Sequence, residues 1–81
     1  MHAEAEWLRQ QIELPQALYT VGELSRMSGT EPDRLIRYLR SKRVIQKASR
    51  GVKYEIELAV LIELAPEFWR TIQQRVARAV A

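Results

Sequence analysis

The stretch Tyr19-Thr20-Val21-Gly22-Glu23-Leu24-Ser25-Arg26-Met27-Ser28-Gly29-Thr30-Glu31-Pro32-Asp33 packs two helix starts and one helix stop into a short span. Thr20, followed three residues on by Glu23, has the form of a capping box. In that motif the threonine hydroxyl takes the N–H of residue 23 and the Glu23 carboxylate takes the N–H of residue 20. The helix it opens, about Val21–Met27, turns Val21, Leu24 and Met27 to one side. Ser28-Gly29 stops that helix, because glycine enters the left-handed region without a Cβ penalty. Thr30 is expected as the N-cap of a second helix, Glu31–Lys42, with Pro32 in its first turn and Glu31 and Asp33 at the positive end of its dipole. Such dense punctuation makes two short helices meet at a tight turn.

The internal spacing is that of a helix-turn-helix. Ser25 is small and lets the helices cross closely. Gly29 makes the turn. Leu35 anchors the second helix on the first. Leu24 and Tyr38 fall where further core contacts are expected, and Thr30 departs from a usually apolar turn position. At about 100° per residue the second helix has two faces, one of Leu35, Ile36, Tyr38 and Leu39 and one of Arg34, Arg37, Arg40 and Ser41.

That cationic face opens a longer block. Residues 34–53 hold eight Lys or Arg and no acid, although the whole chain carries only +3. Residues 1–33 hold two bases and six acids, and residues 54–81 three bases and four acids. A charge run is often just a solvated face, so what carries this one decides its meaning. After the second helix, 44–47 and 52–57 read as short strands joined by Ala48-Ser49-Arg50-Gly51. This is a β-hairpin over 44–57 with Lys47, Arg50 and Lys53 on its tip and sides.

Three further helices complete the reading. Residues 3–14 place Ala5, Leu8 and Ile12 on one stripe and end at Pro15. Residues 57–64 form a short apolar helix that Pro66 breaks. Residues 66–81 form the last helix, with Trp69, Ile72, Val76 and Val80 along one side. The expected fold is mainly α with a small β-hairpin: a winged helix-turn-helix over 15–65, flanked by an N-terminal helix (1–14) and a C-terminal helix (66–81). One recognition helix and one wing bury little surface, so the stripe Trp69, Ile72, Val76, Val80 is expected to be a self-association seam for a homodimer. The other reading of the stripe folds it back on its own domain.

Tyr19-Thr20-Val21-Gly22-Glu23-Leu24 with Ser28-Gly29, and more loosely Gly51-Val52-Lys53-Tyr54, resembles the MerR-like winged-helix group. That group includes MerR-type regulators, excisionases and the DNA-binding domains of some phage small terminase subunits. The resemblance spans about 19–64. The Arg37-Tyr38 pair falls one position late against the pattern, and the second helix is one residue longer. The long coiled-coil helix and effector domain of a full MerR regulator are lacking, so a ligand-sensing role is not implied. A small module of the excisionase kind fits the length.

A winged helix-turn-helix of this kind implies double-stranded DNA as partner, with helix 31–42 in the major groove and hairpin 44–57 along the backbone. Arg34 and Arg37 are the candidates for base edges. Arg40, Lys42 and Arg43 are the candidates for phosphate, with Lys47, Arg50 and Lys53 from the wing. Glu31 and Asp33 read as helix-cap acids, and Tyr38 and Tyr54 as core.

Other classes of function find little here. The chain has no cysteine, and its single histidine is His2. No nucleophile–base pair, metal cluster, cofactor motif or phosphate-cradling glycine loop is present, so neither an enzyme nor a metal or small-molecule site is expected. No run of about 18 apolar residues suggests a membrane span. The acidic start MHAEAEWLRQ does not read as a signal peptide, and a cytoplasmic, nucleoid-associated protein is expected. The function expected is that of a small transcriptional regulator or a recombination directionality factor. The competing reading is a protein-docking module of a phage packaging, segregation or regulatory complex. RNA is a weaker third option, because the exposed face lacks aromatic residues to stack unpaired bases.

Overall fold

Thr20 and Glu23 form both halves of the capping box. The Glu23 N–H donates to Thr20 Oγ1 at 3.1 Å, and the Thr20 N–H donates to Glu23 Oε1 at 2.9 Å. The computed structural model of the chain describes residues 3–46 and 54–80. In chain order these form helix α1 (Ala3–Glu13), strand β1 (Leu18–Thr20), helices α2 (Val21–Ser28) and α3 (Pro32–Ser41), strand β2 (Glu55–Glu57), and helices α4 (Leu58–Leu64) and α5 (Pro66–Ala79). The described architecture is mainly helical with one small two-stranded antiparallel sheet.

Helix α2 ends as its sequence requires. Gly29 adopts φ 71° and donates its N–H to the Ser25 carbonyl at 2.8 Å. The Ser25 hydroxyl then reaches across the turn to the Thr30 carbonyl at 2.6 Å. Leu24 and Met27 on α2 and Leu35 and Leu39 on α3 are fully buried, so the two helices meet through the apolar faces the periodicity assigned to them.

The cap of α3 sits one residue later than expected. Glu31, not Thr30, is the N-cap residue, with ψ 140° and no side-chain cap bond. Pro32 explains the shift, because its ring disfavours the α region for the residue before it. Thr30 instead donates its N–H to Ser28 Oγ at 3.2 Å.

The sheet also differs from the expected hairpin. β2 pairs with β1, in the register Leu18↔Glu57, Tyr19↔Ile56, Thr20↔Glu55. Residues 44–46 form no strand, and the expected turn Ala48–Gly51 lies outside the described residues. The β1–β2 pairing is long-range. It draws the segment ahead of α2 against the segment ahead of α4, buries Tyr19 and Ile56 inward, and leaves Leu18, Glu55 and Glu57 outward.

Helix α5 holds these pieces together. Trp69, Ile72 and Val76 are 7%, 0% and 1% exposed, and Val80 packs against the same core. The stripe read as a self-association seam is thus occupied within its own domain by α1, α2 and α4. Trp69 meets Tyr19 with ring centroids 6.0 Å apart and tilted by 42°. Gln11 of α1 is buried too. Its amide donates to the Trp7 carbonyl at 3.1 Å, while its Oε1 has no partner among the described residues.

Gly29 is constrained by its positive φ, while the Arg75 guanidinium, 2.8 Å from where a Cβ would stand, is the mobile end of an exposed side chain and can move aside. Gly29→Ala is expected to lower unfolding free energy by about 1–2 kcal/mol from the left-handed backbone. Urea denaturation followed by tryptophan fluorescence reads the loss.

Candidate nucleic-acid interface

Burying Leu35 and Leu39 fixes what α3 shows outward. Arg34, Arg37 and Arg40 are all exposed. They stand at successive i, i+3 positions, about 4.5 Å apart along the axis. The described residues contain two ion pairs, Arg26–Glu4 and Lys42–Glu67. No described acid therefore pairs with Arg34, Arg37, Arg40 or Arg43.

Two described cations, Arg26 and Lys42, are engaged in ion pairs. Arg26 pairs with Glu4, and its guanidinium lies 4.2 Å from the centre of the Trp7 ring, tying α1 to α2. Lys42, expected to touch phosphate, places Nζ 3.5 Å from Glu67 Oε1 and 5.8 Å from the Tyr38 ring centre. It is partly buried and serves first to hold the end of α3 against the start of α5. Lys47, Arg50 and Lys53 lie outside the described residues.

Arg43 occupies an unusual backbone position. Among the described residues it is the one non-glycine with positive φ, at 63°. The Val44 N–H donates to the Leu39 carbonyl at 2.9 Å and the Arg43 N–H to the Arg40 carbonyl at 3.0 Å. That is a Schellman arrangement, whose left-handed residue is usually glycine. Placing arginine there costs about 1–2 kcal/mol of backbone strain. It also sets a fourth exposed guanidinium at the negative end of the α3 dipole, a favourable place for a cation.

The base of α3 is set by a cluster with α5. Tyr38 packs on Phe68 with ring centroids 5.3 Å apart, and its hydroxyl donates to Glu67 Oε2 at 2.8 Å. Burial, then the hydrogen bond to the Glu67 carboxylate and its charge, push the Tyr38 phenol up to about 12. The same bond, aided by the Phe68 N–H and Lys42, holds the Glu67 carboxyl below its usual range against a small opposing effect of burial. In the capping box, partial burial works to raise Glu23. The Thr20 N–H, the Gln16 amide, the Thr20 side chain and the Arg26 charge outweigh it, so Glu23 is also lowered.

Sequence reasoning missed Glu67 and Arg75. Glu67 ties down the C-terminal end of α3, and Arg75 lies over the Gly29 turn. Both act across distances in sequence that no local pattern encodes. Arg75 sits beside Val76, on the flank of the stripe whose apolar residues drew the attention. Among the described residues no group of His, Cys, Asp and Glu could hold a metal ion, and no helix is long and apolar enough to cross a membrane.

No protein-family model matches this chain, and neither a curated protein nor a solved structure matches it.

The neutral phenol is the form that donates to Glu67. Because folding raises the Tyr38 pKa above its ordinary 10.0, this contact's stabilisation is complete below pH 10 and is lost as pH rises through about 12. Burial raises the Tyr19 phenol as well, so spectrophotometric titration should show late tyrosine ionisation, and Tyr38→Phe should remove the component near 12.

Proposed function

We propose that this chain is a DNA-binding protein of the winged helix-turn-helix type, with α3 in the major groove. The observation that carries the reading is the unpaired outward face of α3, with Arg34, Arg37 and Arg40 exposed over a fully buried Leu35 and Leu39. Phosphates attract such a face, and an arginine can pair with both acceptors of a guanine edge. The α2–Gly29–α3 turn is compatible with a second helix that buries one face on its own domain and turns the other outward. Arg43 supports the reading independently, because a strained arginine where glycine is easier favours a use for its charge. The wing half of the proposal depends on Lys47, Arg50 and Lys53. The role that follows is a small transcriptional regulator or a recombination directionality factor.

Fluorescence anisotropy of a labelled random-sequence duplex, titrated at several salt concentrations, tests this. Binding should weaken linearly in log[salt], with a slope of about −0.9 for each phosphate neutralised. Arg40→Ala should reduce the slope by about one across all sequences. On the specific site Arg37→Ala should cost about 1–3 kcal/mol and relax discrimination at one base pair. If no duplex binds at low salt, the DNA reading falls and the docking reading takes its place.

Arg43→Gly separates stability from binding. It should raise unfolding free energy by about 1 kcal/mol by relieving the left-handed strain, while lowering DNA affinity and the salt slope. A variant that gains stability with unchanged binding would remove Arg43 from the interface.

A further inference from the structure

The side of the molecule formed by the outer face of the sheet carries an open groove of about 570 Å³. Pro15, Ala17 and Leu18 line it from one segment, and Glu57, Leu58 and Ile62 from another. Leu18 and Glu57 are cross-strand partners and join the two. Leu18 is 46% exposed, Ile62 42%, and Leu14, next to Pro15, 79%. None of the lining residues belongs to α3, so the groove is separate from the arginine face. Apolar side chains gathered in a concave site mark a binding surface more often than scattered ones do.

Glu57 is the one charged residue that lines the groove. Glu55 stands two residues away on the same outer face of β2, and Glu63 follows Ile62 in α4. Glu55, Glu57 and Glu63 are exposed and pair with no described base. A second copy of the chain is a poor occupant. A two-fold contact through this face would bring two copies of the same acidic rim together, and like charges brought close are destabilising. The cationic face of α3 presents Arg34, Arg37 and Arg40 but no exposed large apolar side chain to fill the groove.

We propose that this groove binds a cationic amphipathic helix of another protein, its apolar residues seated between Leu18 and Ile62 and its lysines or arginines against Glu57 and the neighbouring acids. Recognition of this kind lays one helix stripe into an apolar groove. The chain then has two separate surfaces, the groove for protein and the basic face of α3, which share no residue, so a partner can be held while α3 stays free.

The test uses the full chain, labelled with nitrogen-15, and an amphipathic helical peptide built of leucine and lysine as probe. The peptide should shift the amides of Leu18, Glu57, Leu58 and Ile62 and spare α3. A leucine–glutamate peptide of the same pattern should not bind. The exposed double variant Leu18→Gln/Ile62→Gln should weaken the leucine–lysine peptide at least about tenfold. Shifts elsewhere on the surface, equal binding of the two peptides, or indifference to the double variant would overturn the proposal. Concentration-dependent shifts of the groove amides without peptide would overturn it in favour of a second copy. DNA anisotropy on the same double variant keeps the two readings apart. A chain that binds peptide and no duplex loses the DNA reading alone, and a chain that binds duplex and no peptide loses the groove alone.

Discussion

The apolar stripe of α5 is the surface on which the rest of the chain packs. Trp69, Ile72 and Val76 face α1, α2 and α4, and none of those helices is long enough to persist alone in water. A chain of 81 residues buries a smaller share of its surface than a larger domain, so one shared apolar rib must serve several elements. Deleting a buried side chain from such a rib costs about 2–5 kcal/mol. Small domains have only about 5–15 kcal/mol of stability in total. The α2–α3 pair is therefore not self-supporting. It stands because α5 lies behind α2.

That support also positions α3. Near one end of α3, Tyr38 and Lys42 meet Glu67 and Phe68 at the start of α5. At the other, the turn that introduces α3 is covered by Arg75, two turns further along α5. α3 is thus held near its C-terminal end, while its outward face contacts nothing described. A helix held in this way can present side chains at defined places, which surface arginines on a loop cannot do.

The parts of the fold legible in sequence were those specified by near neighbours. The capping box, the glycine stop and the buried Leu24, Met27, Leu35 and Leu39 each depend on residues a few positions apart, and each could be read. The strand Leu18–Thr20 could not. Three residues carry no periodicity, and what makes them a strand is Ile56, far along the chain. Val44 and Ile45 looked like strand residues because they are β-branched. The Schellman turn at Arg43 instead brings the Val44 and Ile45 N–H groups to the Leu39 carbonyl. The α5 stripe was read correctly as apolar, but sequence alone cannot say whether such a stripe meets its own chain or another. On α3 the exposed arginines were legible from the helical period. The diversion of Lys42 to Glu67 was not.

Two departures from the most stable sequence fall on α3 and its end. Arg34, Arg37 and Arg40 stand at i, i+3 spacing, where neighbouring like charges repel by a few tenths of a kcal/mol, and Asp33 offsets this at Arg37 alone, four residues on. Arg43 adds about 1–2 kcal/mol of strain where glycine would add little. Elsewhere Arg26 has Glu4 and Trp7, Lys42 has Glu67, and Glu23 has its cap, while Arg9, Arg70, Arg75 and Arg78 are exposed without a described ion pair. What sets α3 apart is that its arginines lie in register on one face, with Asp33 the one acid of that helix. An external polyanion would offset both the repulsion and the strain, and duplex DNA supplies its charges in the regular array that a helix held in this way can meet.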